Sequence, residues 1–107
     1  MSAKKLIHLE LAKKDADKIV EDTVRDFGLD FSLKVINELE NSFIRIKKYP
    51  QLGSLRIGHK IGFEGLRSLA LKKAPFIIFY LDNDESIRVF RILHQKQHIP
   101  FWLNDFG

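Results

Sequence analysis

Three arginines and a histidine recur at short intervals in the second half of the chain: Arg67, Arg88, Arg91 and His94, with Lys60 just ahead of them. Guanidinium and ammonium groups bind carboxylates and phosphates. An imidazole titrates near neutrality, so it can serve as acid or base. Collected on one surface of a basic protein, such groups point to an acidic partner, either nucleic acid or a protein bound to it. The competing reading is structural: Arg67 paired with Glu64 or Glu85, Arg91 paired with an acidic helix residue, and His94 hydrogen-bonded to backbone at a strand end.

Composition narrows the chemistry. The chain has 107 residues and no cysteine, which excludes disulfides, thiolate catalysis and cysteine-ligated metals. His94 and His98 are four apart, a metal spacing on a helix, but no third ligand is close in sequence; neither a metal nor a cofactor is expected. The length fits one domain spanning 1–107. Net charge is +4 and uneven: acids gather in Asp15 to Glu40, whereas Arg56 to Lys73 carries Arg56, His59, Lys60, Arg67, Lys72 and Lys73 against Glu64. The opening apolar run is broken by His8 and Glu10, so no signal peptide or membrane span is expected, and the cytoplasm is the expected compartment.

Periodicity supplies the elements that must position these groups. Lys5 to Leu11 alternates as a short strand. Ala12, Ala16, Ile19, Val20, Thr23 and Phe27 mark one face of a first helix, which Gly28 ends. Asp30 is placed to cap a second helix with Ser32, Ile36, Leu39, Phe43 and Ile46 inside, stopped by Pro50 and Gly53. From Ser54 the period changes to two. Extended runs are expected at Leu55–Ile61, Leu66–Leu71, Phe76–Leu81 and Ile87–His94, the last two joined by a polar turn at 82–85. The run from Phe76 is apolar throughout and reads as a central strand. Ile99, Trp102, Leu103 and Phe106 fit a short terminal helix. The expected architecture is α+β, β-α-α-β-β-β plus that helix, with the helical hairpin on one face of a small antiparallel sheet.

In order and spacing, these pieces resemble the RelE/ParE superfamily of type II toxins, the ParE branch most closely. Ala12 to Ile19 is similar to the first-helix signature and Gly28 to the helix–helix break. Ile46 through Tyr49-Pro50-Gln51-Leu52-Gly53 is similar to the end of the second helix, Gly65-Leu66-Arg67 to the second-strand motif, Phe76 to Tyr80 to the central strand, and Arg91-Ile-Leu-His94 to the last strand. The resemblance implies a bacterial toxin neutralised by a co-produced antitoxin, with which it forms a hetero-oligomer. ParE-like members inhibit DNA gyrase without breaking a bond themselves. RelE-like members cleave messenger RNA on the ribosome.

Metal-free RNA cleavage needs a base for the 2′-hydroxyl, an acid for the leaving oxygen and cations for the charge that develops. On the RelE alternative, Arg67 and Arg91 match positions that hold such cations, and His94, which titrates near neutrality, would be the acid or base. The lysine pairs that precede the corresponding strand in RelE-like members are reduced here to Lys60. Strand alternation also sets Arg91 and His94 on opposite faces unless a bulge intervenes. The preferred expectation is therefore a gyrase inhibitor with no catalytic residue of its own. Lys60, Arg67, Arg88, Arg91, His94 and Trp102 would face the target, while Phe31, Leu33, Val35 and Ile44, off the second helix's core stripe, would face the antitoxin. A second alternative is an inactive homologue that only binds antitoxin as a co-repressor.

Overall fold

A computed structural model describes residues 4–96. Strand β1 (Lys5–His8) leads into helix α1 (Glu10–Phe27), then α2 (Leu29–Lys48), a short helix α3 (Arg56–Ile61), and strands β2 (Leu66–Ala70), β3 (Phe76–Asp82) and β4 (Ser86–His94). The sheet order is β1-β4-β3-β2. The helical hairpin and the α+β class stand as the sequence predicts them. Two expectations about the strands do not. The sheet is mixed, because β1 runs parallel to β4 while β2, β3 and β4 are antiparallel. Alternation reports which face a residue takes and carries nothing about strand direction. Since most of the chain separates β1 from β4, no tight turn forces them to run oppositely.

The second correction is Leu55–Ile61, which forms α3 in place of a strand. Leu55, Ile57 and Ile61 fit a period of two, yet Ile57 and Ile61 are also one helical turn apart. Both pack with Leu66, Phe79 and Leu93 on the face of the sheet opposite the hairpin. Gly58 permits that approach: a Cβ there would lie 2.5 Å from the Leu66 carbonyl and 2.8 Å from that of Phe63. Gly62, at φ +78°, ends the helix in the left-handed region.

The hairpin turns at Gly28, whose φ of +93° suits glycine; its N–H bonds Val24 and its carbonyl accepts from Ser32. Gly28 itself is the N-cap of α2, and no side chain caps that helix, so Asp30 does not fill the role expected of it. Thr23 and Ser32 bring hydroxyls together at 2.8 Å where the helices cross, and Thr23 also donates to the Ile19 carbonyl. The buried face of α2 is Ser32, Val35, Leu39, Ser42 and Ile46. It keeps Ser32, Leu39 and Ile46 of the expected stripe and takes Val35 and Ser42 in place of Ile36 and Phe43.

β3 is the central strand. Ile78 and Tyr80 face the hairpin, Phe79 faces α3, and all three are fully buried. β1 lies at the sheet edge below α2, where His8 meets the Phe43 ring edge-on at 4.7 Å. Burial lowers the His8 pKa from 6.5, and nearby Lys13 lowers it further. The unfolded chain therefore binds this proton more tightly than the folded one, so stability should fall as pH drops through 6.5. Urea midpoints taken across that range should show the loss, and His8→Phe should remove this component of it.

Candidate functional site

Three of the motifs that carry the family resemblance meet in one place: the end of the second helix, Gly65-Leu66-Arg67 and the central strand. Alternation and register put Arg67 beside Tyr80 on the hairpin side of the sheet. The Arg67 guanidinium donates through Nη1 to the Gly53 carbonyl at 2.8 Å and the Gln51 carbonyl at 3.3 Å. The Tyr80 hydroxyl accepts from the Gly53 N–H at 2.7 Å and donates to the Pro50 carbonyl at 2.8 Å. Burial raises the phenol's pKa, which keeps it a neutral donor. The Tyr-Pro-Gln-Leu-Gly turn is thus pinned to the sheet by one arginine and one tyrosine. Arg67 pairs with backbone carbonyls, not with Glu64 or Glu85, and its side of the molecule remains partly open to solvent.

On β4 a bulge resets the alternation. Phe79 pairs with Arg91 and Tyr80 with Val89, leaving Phe90 as the extra residue. Val89 and Ile92 consequently face the hairpin, while Phe90 and Leu93 pack with the α3 cluster. Arg91 is only 8% exposed. Its Nε and Nη2 donate to the two carboxylate oxygens of Asp15 at 2.7 and 2.9 Å, and Asp15 also accepts the Ile92 N–H at 3.0 Å. β1 ends at His8, so β4 loses its neighbour beyond Val89. Asp15, one turn into α1, takes over as acceptor along that edge. This is the ion pair with a helix acid, and it withdraws Arg91 from the surface where a target would meet it.

His94 sits opposite Phe76 and contacts its ring edge-on at 5.5 Å, with Nδ1 accepting the Lys96 N–H at 3.1 Å. Arg67 and His94 share the hairpin side, but they lie against Tyr80 and Phe76, four residues or about 13 Å apart along β3. Arg67, Arg91 and His94 therefore do not converge as an acid–base–cation set. Arg88 is exposed and pairs with Leu81, which places it on the α3 side, opposite Arg67. Lys60, exposed on α3, is on that same side. The basic groups are thus divided between two faces and do not form one electropositive sheet surface. Trp102 and His98 lie outside the described residues.

On the hairpin, Leu33 and Ile44 are exposed and Phe31 is half-buried. Val35 is not: at 2% exposure it belongs to the core of α2. The exposed apolar surface continues over Leu29 and Phe27, the latter 68% exposed although the sequence places it on the core face. As the last residue of α1, Phe27 meets the Phe31 ring at 5.0 Å across the helix–helix turn. Two determinants escaped sequence reasoning. Asp15 falls on the buried stripe between Ala12 and Ile19, and an acid on a core face is itself a sign of a buried cation. The hydroxyl of Tyr80 in an otherwise apolar strand likewise demanded a partner. Among the described residues, no helix is long and apolar enough to cross a membrane.

The architecture is that of a small α+β toxin-type domain, a helical pair laid over a four-stranded mixed sheet with a third short helix on the reverse side. Residues 6–99 match the family model of the ParE toxin of type II toxin–antitoxin systems (parDE), and the chain belongs to that family. It is 27% identical over 85 residues to Toxin ParE3 of Caulobacter vibrioides, covering 79% of this chain and 80% of the relative. In fold it is similar to a solved structure described as a chromosomal ParDE TA system from P. aeruginosa, with a TM-score of 0.72 and 22% identity, covering 86% of this chain and 96% of that one.

Proposed function

We propose that the protein inhibits bacterial DNA gyrase by binding it, without cleaving any bond, and is held inactive by a cognate antitoxin. Membership of the ParE family supports the toxin role. The observation that favours binding over RNA cleavage is the dispersal of Arg67, Arg91 and His94, with the Arg91 guanidinium committed to Asp15. The antitoxin would lay an amphipathic segment on the exposed apolar residues of the hairpin, Leu33 and Ile44 with Phe31 beside them. The ParDE assembly to which the fold is similar pairs a toxin with an antitoxin, in keeping with that arrangement.

Target contact on this reading falls to the exposed cations of the α3 side, Lys60 and Arg88, with Arg67 contributing from the opposite face. Purified protein added to a gyrase supercoiling reaction should inhibit it, and antitoxin should restore activity. The Lys60→Ala and Arg88→Ala pair should weaken inhibition roughly tenfold, about 1.4 kcal/mol, while leaving the urea midpoint unchanged. Untouched supercoiling together with translated messages cut inside codons would overturn the proposal in favour of a RelE-like nuclease. No effect on either, with normal growth after induction, would leave a co-repressor.

A further inference from the structure

We infer that the turn of residues 49–55, with the cations flanking it, docks on an acidic protein surface that carries an apolar socket. The inference rests on the gyrase reading above, on which that surface belongs to gyrase. Charge in this part of the chain is one-sided. Between Glu40 and Glu64 there is no acidic residue, whereas Arg45, Lys47, Lys48, Arg56 and Lys60 all fall inside the interval. All five are exposed, and among the described residues none forms an ion pair; on α1, by contrast, Lys18 and Arg25 are both matched by acids. At the centre of this arc three large apolar side chains stand in solvent, Tyr49 at 58% exposure, Leu52 at 37% and Leu55 at 44%. The Leu52 N–H bonds the Tyr49 carbonyl at 2.9 Å, closing a turn that keeps their Cα atoms within about 7 Å. Leu55, three residues on, lies no more than about 11 Å from Leu52. Single apolar residues on a surface are ordinary, but a cluster of them rimmed by charge marks an interaction site.

The turn is also fixed in shape. Tyr80 and Arg67 hold its backbone from one side. Beyond it, Ser54 and Ser68 exchange both backbone bonds, at 2.8 and 2.9 Å, and the Ser54 hydroxyl accepts the Arg56 N–H at 3.1 Å. Side chains presented on so constrained a backbone lose little further freedom on docking. Position adds to this. β2 is the outer strand of the sheet, and the turn passes around its edge from the end of α2 to the start of α3. It therefore links Arg67 on the hairpin side to Lys60 on the reverse side, cations that the sheet otherwise separates. The apolar centre decides the class of partner. A phosphate backbone is bound by cations and polar groups, and two leucines beside a tyrosine add nothing to that contact. They fit a socket in a protein, while the surrounding lysines and arginines steer the approach toward carboxylates around it.

Leu52→Ser combined with Leu55→Ser should raise the concentration of protein that half-inhibits gyrase supercoiling about tenfold, with affinity for the antitoxin unchanged. Val24→Ser, at a residue of like exposure (39%) on α1, should leave inhibition at the wild-type level. Lys47→Ala combined with Lys48→Ala should weaken inhibition several-fold at about 50 mM salt and less at about 300 mM, where screening is stronger. Wild-type protein that leaves supercoiling untouched would overturn the gyrase reading and this inference together. Wild-type inhibition that the leucine pair leaves intact would overturn this inference alone. So would a loss of antitoxin affinity as large as the loss of inhibition, since the occupant would then be the antitoxin. Binding to duplex DNA alone that the lysine pair weakens and the leucine pair does not would make the partner nucleic acid, and overturn it too. Should the leucine pair unfold the domain in a urea titration, the exposed lysine pair decides, and inhibition that it leaves unchanged at low salt overturns the inference.

Discussion

Asp15→Ala should lower the free energy of unfolding by about 3–5 kcal/mol, the cost of removing one partner of a buried ion pair. For a domain of this size that is a large part of a total near 5–15 kcal/mol. The size follows from what Asp15 does. Its two oxygens accept from Nε and Nη2 of Arg91 and from the Ile92 N–H, at 2.7 to 3.0 Å, with the side chains of Asp15 and Arg91 13% and 9% exposed. The substitution removes the counter-charge of a guanidinium held away from water, and it also leaves a backbone donor of β4 without its acceptor at the point where β1 has ended. Asp15→Asn keeps an acceptor for Ile92 but not the charge, so it should fall between. Replacing both members, Asp15→Leu with Arg91→Met, should recover much of the loss, because an apolar pair of similar volume carries no desolvation cost. Urea denaturation of the four proteins measures all of this. A loss within about 1 kcal/mol for Asp15→Ala would mean that the pair behaves as a solvated surface bridge.

Much of the architecture was legible in the chain because hydrophobic period and glycine placement act locally. Gly28 had to end one helix, and six apolar residues from Phe76 had to be a strand covered on both faces. What was not legible depended on partners distant in sequence. The direction of β1 is settled by β4, some eighty residues on. α3 has the same apolar positions a strand would have, and the decision lies in how closely Gly58 lets its backbone approach β2. The bulge at Phe90 was foreseen only as a condition, yet it decides which β4 side chains share a face. The arginines were the least legible of all. Residue type marks a cation, but whether it meets a target or a carboxylate depends on neighbours such as Asp15, 76 residues away from Arg91 in sequence. The resemblance identified Arg67 and Arg91 as positions of interest without distinguishing an exposed role from a scaffolding one.

Tyr80→Phe should destabilise the protein by about 1–3 kcal/mol, the penalty for leaving buried polar groups unsatisfied. The phenol hydroxyl is the acceptor for the buried Gly53 N–H and a donor to the Pro50 carbonyl, and phenylalanine fills the same space without replacing either bond. Gly53 is fitted to that ring: a Cβ there would lie 2.8 Å from Tyr80 Cε1 and Oη, and 3.1 Å from the Cβ of Arg67. Arg67→Ala frees the Gly53 and Gln51 carbonyls of the same turn, on the more solvated side, so its cost should be smaller. Because both residues hold one turn, the double variant should lose less than the sum of the two single ones, whereas independent sites add to within about 0.5 kcal/mol. The cycle also separates the two roles open to Arg67. Tyr80→Phe loosens the turn without touching a charge, so it calibrates what loosening alone does to gyrase inhibition. If Arg67→Ala costs less stability than Tyr80→Phe but far more inhibition, the guanidinium meets the target; if inhibition falls in proportion to stability in both, Arg67 serves the turn alone.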